Sequence, residues 1–558
     1  MKTFSAIDSK RGIIIAGTVL MLSMLIFLPD LFFFLKNHVY NYAFTGVIIV
    51  TILFLVPVVL FFYNLKIYYY ILAVLAAFTP IALLPVFLIN SVPNVEMIGL
   101  VLDTNYHEVT ELLGWWQLLL LLFFMIVFVV GFVKLSKKLP KKIPFKTALL
   151  ISGLALGGFL CVPFLRTTVM RYYPIIINRT FRAYYPFRIS KAFTFLSSEL
   201  KNTENYNNAV AHFKFGAQET VNDTTRQIHV LVIGETARYD HWSINGYARE
   251  TAPLLQKQPH LITFSNVATG GPMTHLSIPL LITRADATDY DLHKRERSIL
   301  QAYKEVGYKT FWISNQSHYG LAGNIGMHYA DADTTIFNGY GDNSSNFTGN
   351  YDSALVPIIE NVIRQDKSRD LFLIVHTIGS HWRYLLRYPE TFTKFKPVSD
   401  RNRTLIGQAP DSVIINEYDN SILYTDFIIN QIIETVKRSG ADASITYVSD
   451  HGENLNDDNR HLYFHSYMPT RYTAHVPYFM WLSDGYIQKF PDKFNMLQAH
   501  KALPISSASN TFFTLLDLAH IQIKNSDDKR SIASPLFTGD AQKVLGEEGA
   551  VLSFKNIK

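Results

Sequence analysis

The stretch Ala443–Glu453 reads ASITYVSDHGE. Its first part, ASITYV, is a short run typical of a buried strand, and the polar part that follows brings Asp450 and His451 directly after it. Open α/β sheets bind ligands at the edge where their parallel strands end. The stretch therefore predicts an α/β fold that carries a carboxylate and an imidazole at that edge.

Two other strand-like runs end in the same way. Residues Ile228–Ile233 lead into Gly234, Glu235 and the sequence TAR, and residues Leu371–Val375 lead into His376, with His381 shortly after. Because the ends of parallel strands meet at one edge, we expect oxygen and imidazole ligands from three strands to lie together.

Short strands alternate with helical stretches from residue 226 onward, which predicts a mainly parallel sheet covered by helices on both faces. The predicted helices are Ser298–Val306, Ala354–Lys367, Ile422–Ser439 and Asn510–Ala519. We take residues 226–558 as a catalytic domain.

The first 165 residues have a different composition, dominated by Leu, Ile, Val and Phe. Five stretches approach the roughly 20 apolar residues that cross a bilayer, and each is predicted to be a transmembrane helix: Gly12–Leu28, Tyr42–Phe62, Tyr69–Leu88, Trp116–Val133 and Thr147–Leu165. We take residues 1–165 as the membrane domain of a multi-pass membrane protein that contacts membrane lipids.

Basic residues set the predicted orientation. They lie before the first span and between the fourth and fifth spans, namely Lys2, Lys10, Arg11, Lys134, Lys137, Lys138, Lys141, Lys142 and Lys146. Such loops face the cytoplasm. Five spans then place the catalytic domain on the outer side of the membrane.

Two segments outside the spans are predicted to lie at the membrane surface. Residues 91–116 form an outer loop with the pattern of an interfacial helix, although an ordinary connecting loop is the alternative. Residues 166–225 are predicted to be a bridging helix, rich in aromatic and basic residues, followed by a polar linker.

The only cysteine, Cys161, lies in the fifth span, so the catalytic domain has no disulfide and its core must supply its stability. The net charge is +6 without a basic tract interleaved with aromatic residues, so we expect no nucleic-acid partner. The spans have almost no ionisable residues in their middle, which argues against a transporter.

Thr274 is the candidate nucleophile. It lies in the stretch Thr269–Pro279, TGGPMTHLSIP, where glycines and a proline precede an apolar helical run. At such a helix start the backbone N–H groups favour a phosphoryl oxygen and a lowered hydroxyl pKa. The alternative, that Thr274 is only a helix cap, stays open from spacing alone.

The candidate metal ligands are Glu235, Asp450 and His451, and the oxygen of Thr274 completes a four-coordinate site. Such a set suits Zn²⁺, while Mn²⁺ is the less favoured alternative. His381 and His465 are further candidates: either could hold a substrate phosphate, protonate a leaving alkoxide or bind a second zinc ion.

Taken together, these motifs resemble the bacterial phosphoethanolamine transferases, the group that includes the lipid A modifying and colistin-resistance (polymyxin-resistance) enzymes. The residues that carry the resemblance are Gly234 to Arg238, Gly246, Tyr247, Arg249, Thr251, Pro253, Thr274, Ser277, Pro279, Trp312, Asn315, Gln316, Gly379 to His381, Arg387 to Pro389 and Ser449 to Glu453.

The resemblance implies a periplasmic α/β/α domain of the alkaline phosphatase and sulfatase type, anchored in a bacterial inner membrane. It implies that Glu235, Thr274, Asp450 and His451 form the zinc site, that Thr274 becomes modified by phosphoethanolamine, and that His381 and His465 bind the phosphoryl group or another zinc ion. Substrate contacts would come from Glu108, Asn315 and Gln316.

The donor implied is phosphatidylethanolamine, and the acceptor an envelope glycolipid, most simply lipid A or lipopolysaccharide core. Three features depart from the family pattern: the missing disulfides, His275 where relatives carry a smaller residue, and Leu100, two helical turns before Glu108, where relatives often carry an asparagine. A sulfatase would need a modified cysteine or serine at the nucleophile position. The alternatives kept are a phosphoglycerol transferase of the same superfamily and a non-catalytic lipid-binding protein.

Overall fold

A computed structural model describes residues 6–36, 47, 50–88, 115–161, 206, 208–316, 323–338, 351–401 and 409–558. These residues divide into two compact units, a helical one that ends at residue 161 and an α/β one that begins at residue 206.

The helical unit consists of apolar helices: α1 (Ala6–Ile26), α2 (Leu28–Lys36), α3 (Leu65–Ala77), α4 (Thr79–Leu88), α5 (Trp115–Ser136) and α6 (Phe145–Cys161). Three of its segments are long and apolar enough to cross a membrane: Ser9–Ile26, Leu65–Leu84 and Leu119–Ser136. Two shorter apolar helices, Val50–Val59 and Phe145–Phe159, lie at the other two predicted spans. Five spans therefore remain a prediction.

Prolines explain where these helices are interrupted. Pro57 lies in a short 3₁₀ helix, Val56–Val59, where the second predicted span loses regular α geometry. Pro80 lies at the second position of α4, and α3 stops at Ala77, before it. A proline has no N–H to donate and clashes with the preceding turn, so a helix ends or restarts there.

The α/β unit is built on a seven-stranded sheet, numbered here along the chain as β1 (Gln227–Gly234), β2 (Leu261–Phe264), β3 (Lys309–Ser314), β4 (Thr334–Phe337), β5 (Leu371–His376), β6 (Asp442–Ser449) and β7 (Tyr478–Leu482). Across the sheet the order is β2-β7-β6-β1-β5-β3-β4. The neighbours from β6 to β4 are parallel, and β7 is antiparallel to both β6 and β2.

The helices of this unit are α7 (Thr274–Ile282), α8 (Ile299–Glu305), α9 (Gly323–Tyr329), α10 (Leu355–Gln365), α11 (Asp411–Arg438), α12 (Arg471–Ala474), α13 (Asp484–Lys489), α14 (Pro491–His500) and α15 (Ser507–Leu518). Helices α7 and α15 pack on one face of the sheet, and α10 and α11 pack on the other. The predicted mainly parallel sheet with helices on both faces is what the structure shows.

All eight residues of β1 are buried, as are all of β5 and β6. Their side chains alternate between two cores: Leu231 and Ile233 lie in the core under α7, and Val230 and Val232 in the core under α11. Strands covered on both faces are expected to be apolar throughout, which is why these runs stand out in the sequence.

The register of the three central strands fixes the site. Gly234 of β1 is paired with Ser449 of β6, and Ile233 is paired with His376 of β5. The three strands therefore end at the same level, so the residues that follow them meet at one edge of the sheet.

The α/β unit begins earlier than the predicted boundary at residue 226. Tyr206 and Phe215 are buried in it, and residues Gln218–Glu219 pair with Ile521–Gln522 in a small antiparallel sheet. The end of the predicted linker thus packs on the α/β unit.

Candidate metal and nucleophile site

Glu235, Asp450 and His451 meet at this edge of the sheet. The three side chains are buried, and each offers one ligand atom such that all three atoms lie within 4.8 Å of one another. His451 Nε2 lies 3.4 Å from a carboxylate oxygen of Glu235 and 3.4 Å from Asp450 Oδ2. The structure thus brings together the three residues that the sequence analysis selected as metal ligands.

Thr274 joins this group from α7. Its hydroxyl lies 3.3 Å from Glu235 Oε2 and 3.2 Å from His451 Nε2. The N-cap of α7 is Met273, which makes no side-chain capping hydrogen bond, so Thr274 is the first helical residue and does not cap the helix. Its hydroxyl is directed at the ligands instead, beside the N–H groups of the helix start.

Neighbouring groups hold each ligand in orientation. His451 Nδ1 donates to the carbonyl oxygen of Gly452 at 2.8 Å, so the neutral ring keeps its proton on Nδ1 and turns the lone pair of Nε2 toward the carboxylates. Gln316 Nε2 donates to Glu235 Oε2 at 2.9 Å, and the Thr236 hydroxyl donates to Glu235 Oε1 at 2.5 Å. Such second contacts are typical of metal sites.

The site as it stands fits a divalent cation. Asp450 Oδ1 accepts from the backbone N–H groups of Thr236 and His451, but the buried Oδ2 has no hydrogen-bond partner of ordinary geometry among the described residues. Burial raises the pKa of the Asp450 carboxyl to about 7. Two carboxylates, one imidazole and one hydroxyl are a set of four ligands that Zn²⁺ accepts.

His381 is positioned by the loop that follows β5. Gly379 has a φ of +48°, and a Cβ there would lie 2.8 Å from the carbonyl oxygen of Glu235, so only glycine allows this approach. Ser380 N donates to the same oxygen at 3.0 Å. His381 Nδ1 donates to the Trp382 carbonyl at 2.6 Å, which leaves Nε2 able to accept, and burial lowers the ring pKa to about 4.

His465 lies against the ligand set itself. Its ring centroid is 4.0 Å from that of His451. Its Nδ1 lies 3.2 Å from Glu453 Oε1, and Tyr384 donates its hydroxyl to the other oxygen of Glu453 at 3.1 Å. Burial raises the pKa of Glu453 to about 8 and lowers the pKa of His465 well below its usual range.

The predicted substrate contacts have different placements. Gln316 faces Glu235, as described above. Asn315 is buried and donates to Asp352, whose carboxylate accepts from the backbone N–H groups of Ile378 and Gly379, so it supports the His381 loop. Glu108 lies outside the described residues, as does most of the predicted segment 91–116.

Three residues that received no role in the sequence analysis contribute to the site. Glu453 orients His465, Thr236 orients Glu235 together with the predicted substrate contact Gln316, and Tyr467 bonds to His275. For Glu453, the available sequence signal was its position at the end of the SDHGE run. No spacing rule connects Gln316 with Glu235, because 81 positions separate them and only the pairing of β3 with β5, and of β5 with β1, brings them together.

The chain is similar to several known proteins. The family model described as Sulfatase matches residues 227–521. The phosphoethanolamine transferase EptC of Escherichia coli K12 is 30% identical over 321 residues, which cover 55% of this chain and 53% of EptC. The phosphatidylethanolamine transferase Mcr-1 of Escherichia coli is 31% identical over 297 residues, 51% of this chain and 54% of Mcr-1.

The chain therefore spans about half the length of the curated relatives it matches. The resemblance to phosphoethanolamine transferases noted in the sequence is confirmed by relatives that carry that name.

Two solved structures resemble the chain. The C-terminal periplasmic domain of Escherichia coli EptC, in a complex with Zn, matches with 27% identity and a TM-score of 0.54, covering 61% of this chain and 96% of that one. The integral membrane phosphoethanolamine transferase EptA of Neisseria meningitidis matches with 23% identity and a TM-score of 0.74 over 93% of this chain and 98% of its own. The second match shows the shared fold, a helical unit together with an α/β unit.

Proposed function

Because this chain belongs to the sulfatase family, we propose that it uses the site at Thr274 to transfer phosphoethanolamine from phosphatidylethanolamine to an acceptor in the bacterial envelope. The acceptor we favour is lipid A or the lipopolysaccharide core. The protein would lie in the inner membrane with its α/β unit in the periplasm, where this unit can reach both the phosphatidylethanolamine donor and the acceptor.

The observation that carries the proposal is the direction of the Thr274 hydroxyl, which lies within 3.3 Å of Glu235 and His451 and does not cap its own helix. A hydroxyl in that place can serve as a nucleophile. Hydrolysis of sulfate esters needs a modified cysteine or serine as the nucleophile, whereas the candidate nucleophile here is a threonine and the only cysteine is Cys161.

In the first step the oxygen of Thr274 forms a bond to the lipid phosphorus, and the bond from phosphorus to the diacylglycerol oxygen breaks. The proton lost by the hydroxyl balances the proton gained by diacylglycerol. His381 and His465 are the candidates to carry it, since both flank the ligand group and their lowered pKa leaves them neutral and able to accept.

In the second step an acceptor oxygen forms the new bond to phosphorus, and the Thr274 oxygen leaves and regains its proton. Glu235, Thr274, Asp450 and His451 are the residues that would hold zinc, one ion tightly, with Mn²⁺ as the second choice. When bound, zinc supplies positive charge that favours the ionised hydroxyl and offsets charge on the phosphate.

A phosphatidylethanolamine with a fluorescent acyl chain tests this function. The purified full chain should release fluorescent diacylglycerol, and chelation should stop the release until zinc is restored. Phosphatidylglycerol with the same label serves as the matched control, because a phosphoglycerol transferase would prefer it. Full activity in metal-free protein, or consumption of phosphatidylglycerol alone, would refute the proposal. The masses of lipid A and core fragments from cells that express the chain would identify the acceptor.

A further inference from the structure

The α/β unit exposes few large hydrophobic side chains, and two of them lie on segments that hydrogen-bond to residues near the nucleophile. Its exposed examples among the described residues are Val221, Met468, Leu536, Val551 and Leu552. Met468 is the most exposed, at 66%, and follows the His465 loop directly. We name Met468 and Leu552 the apolar lip.

The two residues of the lip lie on segments that approach each other. Leu552 belongs to a two-stranded hairpin, Lys543–Leu545 paired with Val551–Ser553, in which the neighbouring Val551 points to the opposite face. A Cβ placed on Gly546 in that hairpin would lie 3.2 Å from Leu552 Cδ1 and 3.6 Å from Pro469 Cδ. Met468 precedes Pro469, so the hairpin and the segment after His465 form one surface.

The same surface adjoins the Thr274 loop. Leu545 N in the hairpin donates to the carbonyl oxygen of Gly270 at 2.8 Å, four residues before the nucleophile. The hydroxyl of Tyr467, the neighbour of Met468, lies 2.6 Å from Nε2 of His275, the residue after the nucleophile. The lip is therefore continuous with the site at which the substrate phosphate must arrive.

Charges of both signs flank the lip. Lys555 and Arg471 are exposed on one side and Glu547 is exposed in the hairpin turn. A zwitterionic head group carries a phosphate and an ammonium group, and such a mixed rim can pair with both. An exposed apolar patch beside a polar rim is the pattern of a lipid or partner contact, because water disfavours the apolar side chains.

We propose that the apolar lip contacts the acyl chains of the two-chain phospholipid whose phosphate reaches Thr274. This inference rests on the proposed function and adds to it the surface that selects a lipid over a soluble phosphodiester. The glycerol backbone would pass between the lip and Thr274, with the chains on the apolar side.

Contact with acyl chains can be measured without turnover. In a Cys161→Ala background of the full chain, Met468→Cys is labelled with bimane and the protein is placed in bilayers whose phosphatidylethanolamine carries brominated acyl chains. The matched control is Leu536→Cys, since Leu536 is also exposed, at 55%, and belongs to a different segment of the α/β unit. We expect strong quenching at 468 and little at 536. If the label at 468 is not quenched, as expected when a protein partner covers this surface, the inference is overturned. Equal quenching at both positions overturns it as well.

A second arm uses activity. Met468→Asp and Leu552→Asp should lower kcat/KM about tenfold for long-chain phosphatidylethanolamine, the effect of losing burial of one apolar side chain. Both variants should use the soluble dihexanoyl form as efficiently as the wild type does. Leu536→Asp should leave kcat/KM unchanged for both donors. Equal losses on both donors would overturn the inference. If the wild type releases no diacylglycerol from either donor while quenching at 468 persists, the proposed function fails and the lipid contact stands.

Discussion

His275 Nε2 and the Tyr467 hydroxyl lie 2.6 Å apart, and their rings are in contact with centroids 5.3 Å apart. His275 follows the candidate nucleophile on α7, and Tyr467 follows His465 on its loop. The Tyr290 hydroxyl also donates to the His275 carbonyl at 3.0 Å. His275 thus connects α7 with the loop that carries His465.

Tyr467→Phe should slow phosphoethanolamine transfer about five- to tenfold, because it removes one hydrogen bond worth about 1 kcal/mol and keeps the ring. We expect kcat to fall, KM for the lipid to stay near its wild-type value and the unfolding temperature to change little. Adding His275→Gln to Tyr467→Phe should bring no further loss.

The control is Tyr463→Phe, which removes a comparable hydroxyl contact, to Asp411, on the same loop without reaching α7. If it slowed transfer as much as Tyr467→Phe, the link between His275 and Tyr467 would have no special role.

Gly379→Ala should abolish metal binding. The new Cβ would meet the backbone of Glu235 at 2.8 Å while the residue holds a φ of +48°. Gly440→Ala is the control, because Gly440 has a φ of +69° with open space around it and should cost about 1 kcal/mol of stability without touching the site. Zinc titration and thermal unfolding of both variants measure the difference, and equal zinc affinity in the two would contradict the argument.

Gln316→Leu should weaken zinc binding about 10- to 100-fold, since it removes the amide that orients the Glu235 carboxylate. The exposed Gln488→Leu on α13 is the matched control. Calorimetric zinc titration gives both affinities. Unchanged zinc affinity together with a raised KM for the lipid would instead assign Gln316 to substrate binding, as the sequence resemblance suggests.

Zinc affinity should rise with pH up to about 7. Burial raises the pKa of Asp450 to about 7, above its value in the unfolded chain, so in the cation-free fold the carboxyl keeps its proton below that pH. A cation must displace this proton to bind. Titrations in buffers with different ionisation enthalpies should therefore show more protons released at pH 6 than at pH 8, and equal release would contradict the assigned role of Asp450.

Much of the site was predictable because its residues come directly after strands. The runs that end at Gly234 and Ser449 are fully buried strands, so their apolar sequence was unambiguous and the following residues had to lie at one edge. The helix of Thr274 was likewise predicted from its glycines and proline. Spacing alone could not decide whether the threonine capped its helix, because that depends on where its hydroxyl points.

Helix α11 shows where the sequence was insufficient. Its predicted start was Ile422, but it begins at Asp411. The added turns contain buried polar residues that read as a loop in the sequence. Asp419, for example, accepts from Tyr247 and Arg249 and bonds to His241, and Asn420 donates to the Phe395 carbonyl. These partners lie far from the helix along the chain, so the sequence did not show that the polar residues of the helix are buried.

In the predicted membrane domain, the composition was informative about the type of structure but not about where each helix ends. Its composition predicted apolar helices, and such helices are present, but interruptions at Pro57 and Pro80 shorten or divide them. Whether a short apolar helix crosses a bilayer depends on its tilt and on flanking residues, which a hydropathy count does not contain.

The most direct test of the account is the mass of the peptide that contains Thr274 after the full chain has been incubated with phosphatidylethanolamine and no acceptor. We predict phosphoethanolamine on Thr274 in the wild type, its loss when lipid A is added, and no adduct in Thr274→Ala, with transfer reduced at least about a thousandfold. An adduct that persists in Thr274→Ala, or transfer at the wild-type rate in that variant, would contradict the central claim.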